Sequence, residues 1–268
     1  MHYTLLQAAL AGAVEASSKI LEVYRQSFSP NYKADGSPVT LADLRSNAVL
    51  EKHLGQTRLP VLTEESTHAP YEERSHWQQF WCVDPLDGTK EFIRHNDEFA
   101  ICIALIEDRQ PVLGVIASPI EQKILVGGRE VPAAIVPFDC ITDLDKWQFI
   151  EPKSVPNSPL VIAGSRTPYS GASLAFINEL KKKYGDLDFI RKGSALKFFD
   201  LALGKADLYV RFAPTMEWDI AAGQAIVESL GGTVTHAETG VPLHYNKASL
   251  FNPHFVATMP ALLQSGNT

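Results

Sequence analysis

The chain has 268 residues, with 31 acidic against 24 basic side chains and a formal net charge of -7 with histidine neutral. That length predicts one or two domains, at about 100–200 residues each, with a core large enough to need no covalent staples. Hydrophobic residues are 45% and charged residues 21%, which excludes wholesale disorder, and the acidic balance leaves no footprint for wrapping a nucleic acid polymer. Three cysteines exclude a secreted disulfide scaffold and fit a reducing, intracellular setting.

Met1-His2-Tyr3-Thr4-Leu5 lacks the basic opening of a signal peptide, and Glu15, Lys19 and Glu22 interrupt the apolar segment that follows. No apolar run approaches the roughly 20 residues of a membrane span. A cytoplasmic protein with no integral membrane segment is expected.

Leu6, Leu10, Ala13, Ile20 and Tyr24 recur at helical spacing and predict an amphipathic helix over 5–28, stopped by Ser29-Pro30-Asn31. A second helix is predicted over 41–54, capped by Thr40, with Asp43 in its first turn and Leu41, Leu44 and Ala48 on its buried side. Strands follow at 60–63, ending in Glu64-Glu65, and at 80–83, running into Asp84-Pro85-Leu86-Asp87-Gly88-Thr89. Further strands at 99–106, 112–117 and 124–126 predict a sheet with short connections. Three prolines among polar residues at 151–159 read as a linker dividing the chain into 1–155 and 156–268. Beyond it, strands at 160–163, 189–190, 208–210, 233–235 and 255–258 alternate with helices at 172–184, 196–203 and 218–230. Gly185, Gly204 and Gly231-Gly232 close those helices, and the alternation predicts α/β-type layering in this half.

Three acidic clusters lie at the edges of these elements: Glu64-Glu65, Asp84 with Asp87, and Asp219 at a helix start. Each has an ordinary reading alone, as a solvated strand end, a turn or a helix cap. Together they offer the hard oxygen ligands that suit Mg²⁺. Pro85 stiffens its turn, so that two carboxylates and a backbone carbonyl can converge. Gly88 permits close approach of a ligand, the N–H groups of a following helix start can receive phosphate oxygens, and Thr89 is placed to orient a water. These are the parts of metal-assisted phosphate ester hydrolysis.

The blocks Glu64-Glu65, Asp84-Pro85-Leu86-Asp87-Gly88-Thr89 and Trp218-Asp219-Ile220-Ala221-Ala222-Gly223 resemble the signatures of the inositol-monophosphatase superfamily of lithium-sensitive phosphatases. The branch most similar is that of the bacterial 3'(2'),5'-bisphosphate nucleotidases. Its resemblance extends to Lys90-Glu91-Phe92-Ile93, Ser37-Pro38-Val39-Thr40-Leu41-Ala42-Asp43, Gly193-Ser194-Ala195-Leu196-Lys197-Phe198, Tyr209-Val210-Arg211-Phe212-Ala213-Pro214-Thr215 and Phe251-Asn252-Pro253. It implies an α+β fold, a layered αβαβα sandwich of the inositol-monophosphatase/fructose-1,6-bisphosphatase type.

The same resemblance implies roles. Glu64, Asp84 and the Leu86 carbonyl would hold a first Mg²⁺, and Asp84, Asp87 and Asp219 a second. Glu65 and Thr89 would orient and deprotonate the attacking water, with Asp43 as the competing or cooperating acid. The amides of Gly88 and Thr89 would receive the scissile phosphate. Lys197 and Arg211 are candidates for a second phosphate, Arg166 is a third, and Gly164 and Ser165 are backbone contacts to the nucleoside. One departure stands out: Thr167-Pro168 replaces the serine-histidine that usually follows the serine-arginine pair.

The implied reaction removes the 3'-phosphate of adenosine 3',5'-bisphosphate, giving AMP and phosphate, in sulfur assimilation. Phosphatase action on inositol monophosphate or another sugar phosphate is the alternative on the same metals, and a non-catalytic metal-dependent nucleotide sensor is the other class. Peripheral association with the inner membrane face, sometimes attributed to the family, finds no lipid anchor or basic amphipathic helix here. His68, His76, His95 and His236 form no zinc pattern, Cys82 and Cys102 read as core residues, and Trp218 reads as packing that could aim Asp219.

Overall fold

The computed structural model describes residues 2–26, 28, 30–33, 36, 38–166, 169 and 171–265. Ser29 of the expected helix stop, Ser37, and the Thr167-Pro168 departure lie outside the described residues. The first half runs α1 (His2–Tyr24), a hairpin of β1 (Asn31–Tyr32) and β2 (Pro38–Val39), α2 (Leu41–Gly55), β3 (Val61–Thr63) and α3 (Tyr71–Arg74). It continues with β4 (Gln79–Asp87), α4 (Thr89–Ile93), β5 (Ala100–Glu107), β6 (Gln110–Ser118), β7 (Lys123–Gly128), β8 (Val131–Pro137) and β9 (Gln148–Phe149). β3 to β9 form one seven-stranded sheet in chain order. Only the β3–β4 pair in it is parallel.

The second half runs β10 (Leu160–Gly164), α5 (Gly171–Tyr184), β11 (Leu187–Arg191), α6 (Lys197–Ala202), β12 (Leu208–Arg211), α7 (Glu217–Ser229), β13 (Thr233–His236), β14 (Phe255–Thr258) and α8 (Pro260–Ser265). Its strands make a five-stranded sheet ordered β11-β10-β12-β14-β13. β10 is parallel to both neighbours, while β14 is antiparallel to β12 and β13.

Alternation along the strands builds the layers. Trp81, Val83, Ile101, Ile103 and Leu105 pack with Leu6, Leu10 and Ala13 of α1 and Leu50 of α2. Their neighbours Phe80, Cys82, Cys102, Ala104 and Ile106 face the other way, into a core shared with Phe198, Trp218 and Ile226 and with Tyr209 and Phe255 of the small sheet. The far face of the small sheet packs Ile162, Leu208 and Val210 against Ile177 of α5 and Leu262 of α8. The result is an αβαβα sandwich, as expected. Strands covered on both faces read as continuous apolar runs. The central helix lies flush on the large sheet because β6 carries Gly114, where a Cβ would stand 2.1 Å from the Ala222 carbonyl oxygen.

Three local expectations differ. The first helix ends at Tyr24, short of 28. Leu41, Leu44 and Ala48 of α2 are exposed; its buried side carries Ala42, Asp43, Ser46, Asn47, Leu50 and Leu54. The polar members of that face serve the site described below, so apolar periodicity pointed to the wrong side. Strand β8 went unrecognised because Pro132 and Pro137 lie within its seven residues. The proline-rich 151–159 segment does connect the large sheet to the small one.

Candidate active site

The parallel β3–β4 pair delivers two acids side by side. Glu64 follows β3, and its N–H donates to the Val83 carbonyl on β4 at 3.2 Å. Asp84 and Asp87 occupy the end of β4, where the ladder to β5 shifts register between them. The Asp84 carboxylate turns back to accept the Leu86 N–H at 2.9 Å, which arches the intervening proline turn. The polar side of α2 holds both strand ends. Ser46 donates to the Pro85 carbonyl at 2.6 Å, and Asn47 accepts from Thr63 at 2.7 Å and donates to Ser66 at 2.9 Å.

Asp219 arrives from the opposite half, three residues into the start of α7, where it accepts the Met216 N–H at 2.8 Å. One carboxylate oxygen each from Glu64, Asp84 and Asp219 lies within 4.8 Å of the others. Asp87 sits beside this cluster with its Oδ2 held by the Ser194 hydroxyl at 2.8 Å and by the Ala195 N–H.

Electrostatics identify what the cluster lacks. Burial, then the repulsion of Glu64, Asp87 and Asp219, pushes Asp84 far above the usual carboxylate range. Burial and Asp87 push Asp219 up to about 8. Glu64 and Glu65 are also raised by burial, against the opposing pull of Lys33. Lys33 donates to Glu64 at 2.9 Å and to Glu65 at 2.7 Å. One ammonium at the edge does not neutralise four neighbouring acids, and oxygen-only donors from three separate elements fit a hard divalent cation such as Mg²⁺. The described residues contribute no histidine or cysteine to this group.

A second set of contacts surrounds Thr89. Its hydroxyl donates to Asp43 Oδ1 at 3.0 Å and approaches the Leu86 carbonyl at 3.3 Å. Asp43 Oδ2 in turn accepts the Thr40 N–H at 2.7 Å and the Thr40 hydroxyl at 2.6 Å, the expected helix cap doubling as an orienting device. Between these residues the chain passes Gly88 at φ 96°, where a Cβ would stand 2.9 Å from the Glu98 carbonyl. No L side chain is comfortable there.

Next to the acids opens a cleft of about 380 Å³, lined by Asp87, Gly88 and Asp219 together with Ser165, Arg166, Lys197 and Arg211. Gly164 ends β10 one residue before this lining. Lys197 is buried, its ammonium donating to the carbonyls of Ser194 at 2.5 Å and Lys192 at 3.3 Å. Burial pulls its pKa down to about 8. Arg166 is exposed and engaged bidentately by Glu98, at 2.9 and 2.5 Å. Among the described residues the buried Nε of Arg211 has no hydrogen-bond partner.

Sequence reading missed Lys33, Ser46 and the hold of Ser194 on Asp87. Ser194 lay within a motif already singled out; nothing local marked the other two. Cys82, Cys102 and Trp218 are buried core residues, as expected. His68 lies tilted against Trp218, ring centroids 5.3 Å apart, rather than joining the acids.

A five-layered α+β frame that gathers a cluster of carboxylates around the buried Asp84 beside a cationic cleft defines a metal-dependent phosphoesterase architecture. The chain belongs to the inositol monophosphatase family, whose model matches residues 2–264. It is 38% identical to the 3'(2'),5'-bisphosphate nucleotidase CysQ of Salmonella typhimurium over 92% of this chain and 96% of that one. With the protein of the same name from Escherichia coli strain K12 it shares 36% identity over 91% and 95%. The crystal structure of CysQ from Bacteroides thetaiotaomicron superposes with a TM-score of 0.84 at 36% identity, covering 95% of this chain and 96% of that one. SuhB from Bartonella henselae, at 24% identity and a TM-score of 0.76 over 97% and 96%, shares the fold. Among the described residues no helix is long and apolar enough to cross a membrane.

Proposed function

We propose that the chain is a Mg²⁺-dependent 3'(2'),5'-bisphosphate nucleotidase that removes the 3'-phosphate of adenosine 3',5'-bisphosphate, leaving AMP. The carrying observation is Arg211, which lines the same cleft as Asp87 and Asp219 and whose buried Nε has no partner among the described residues. A substrate with one phosphate would use the acidic end alone. A second phosphate gives Arg211, with Lys197 and Arg166, an anion to bind. The match to nucleotidases over nine-tenths of the chain supports the same reading.

Glu64, Asp84 and the Leu86 carbonyl would hold one Mg²⁺, and Asp84, Asp87 and Asp219 another. Bound there, the ions neutralise phosphate charge and lower the pKa of a nearby water. Thr89 donates its proton to Asp43, so the threonine oxygen is free to accept from the attacking water and pass its proton on. That contact favours Asp43 over Glu65 as the final base, since Glu65 is taken up by Lys33. The amides of Gly88 and Thr89, at the start of α4, would receive the scissile phosphate. In this division of labour residues 1–155 act as the domain that brings most metal ligands, and 156–268 as the domain that brings Asp219 and the nucleoside pocket.

The test is phosphate release from adenosine 3',5'-bisphosphate, AMP and inositol 1-phosphate in parallel, with Mg²⁺ and with chelator. A Mg²⁺-dependent preference for the bisphosphate of roughly 100-fold in kcat/KM, or about 2.7 kcal/mol, is expected. Arg211→Ala should remove most of that preference. Equal or better turnover of inositol phosphate would transfer the activity to sugar phosphates, and silence on all three would leave a non-catalytic binder.

A further inference from the structure

The loop 193–195 crosses from the second half of the chain onto the acids of the first. Ser194 holds a positive φ of 56°, which serine rarely adopts. A plain turn would be served by glycine. What serine adds is a hydroxyl, and that hydroxyl donates to Asp87 Oδ2 at 2.8 Å beside the N–H of Ala195 on the same oxygen. Behind the turn, the Lys197 ammonium donates to the Ser194 carbonyl at 2.5 Å. Beneath it, a Cβ on Gly88 would stand 3.2 Å from the Ser194 Cβ, so the two loops are stacked without slack.

We infer that Ser194 is a positioning residue for Asp87. By fixing Oδ2 it sets the carboxylate rotamer and leaves Oδ1 as the oxygen offered to a cation; Lys197 braces the turn through the Ser194 carbonyl. Groups that orient a metal-binding side chain typically govern affinity by 10–100-fold. The inference rests on the two-cation reading of the site and deepens it. It also links the phosphate cleft to the metal ligands, because Lys197 lines that cleft.

Manganese binding to the full chain, followed by electron paramagnetic resonance without nucleotide, separates this role from a structural one. Ser194→Gly removes the hydroxyl while relieving the backbone, so its Tm should match or exceed that of the parent. One of two Mn²⁺ sites should nonetheless weaken about tenfold, the remaining Ala195 N–H limiting the loss. Ser194→Asn tolerates the same φ and carries a donor, and should recover most of the affinity. Wild-type Mn²⁺ binding in both Ser194→Gly and Ser194→Ala overturns the inference. So does an effect of these variants confined to KM for nucleotide, which would make Ser194 a substrate contact, or a parent protein with no second Mn²⁺ site. If the parent binds two Mn²⁺ and the variants lose one, the inference stands even where adenosine 3',5'-bisphosphate is not turned over.

Discussion

Asp219→Asn should make the metal-free protein more stable while destroying its function. Asp219 ionises near 3.8 ordinarily but near 8 in the folded, metal-free chain, because it is buried beside Asp87 and Glu64. Below about pH 4 both states are neutral and the carboxylate costs nothing. Above that, the unfolded chain ionises it first, so folding stability falls as pH rises and the full cost is reached past pH 8. Four pH units at about 1.36 kcal/mol each give an upper bound of about 5–6 kcal/mol. The same repulsion also raises Asp84 and Glu64, so one substitution should recover a share on the order of 2 kcal/mol. Asparagine keeps the shape and can still accept the Met216 N–H. Urea unfolding of chelator-treated protein should show the two chains alike at or below about pH 4, the variant drawing ahead as pH rises and furthest ahead at pH 8. Saturating Mg²⁺ should reverse the order, since a cation at 100 times its Kd stabilises by about 2.7 kcal/mol and the variant binds it poorly. Equal stabilities at pH 8 without metal, or a gap that shrinks as pH rises, would refute the electrostatic account.

Thr89→Ala and Asp43→Asn should each lower kcat by about 10²–10⁴ at saturating Mg²⁺, whereas Glu65→Gln should fall less. Full kcat in all three would remove the water-activating group assigned here, and a larger loss in Glu65→Gln would move the base to that residue. Gly88→Ala must hold φ 96° with a Cβ 2.9 Å from a carbonyl oxygen; a loss of about 1–3 kcal/mol in urea unfolding and a drop in kcat/KM are expected together. Gly114→Ala pushes a methyl into the Ala222 backbone, at 2.1 Å, and should cost at least about 1–3 kcal/mol by prying α7 from the large sheet. Because α7 carries Asp219, its Mg²⁺ half-saturation should rise as well.

How much of this was legible in the sequence depended on range. Capping and turn signals act within a few residues, so Thr40 before α2, Gly185 and Gly204 after their helices, and the Asp84-Pro85-Leu86-Asp87-Gly88 arch could be placed without coordinates. The longer strand runs were visible for the same reason, except where Pro132 and Pro137 hid β8; the two-residue strands β1, β2 and β9 were too short to leave a run. The acid blocks were readable as separate pieces of chemistry. What the sequence could not contain was their meeting. Asp219 joins Glu64 and Asp84 only because α7 is clamped between two sheets, and Asp87 is aimed by Ser194 from a loop in the other half. The buried side of α2 shows the same limit. Its residues Leu41 and Leu44 face solvent while Ala42, Leu50 and Leu54 pack in the core shared with α1 and Asp43, Ser46 and Asn47 turn inward beside them, because one end of that face meets backbone and hydroxyl groups around the site. Hydrophobic patterning predicts a helix face only when the partner is apolar, and that partner is chosen by the tertiary fold.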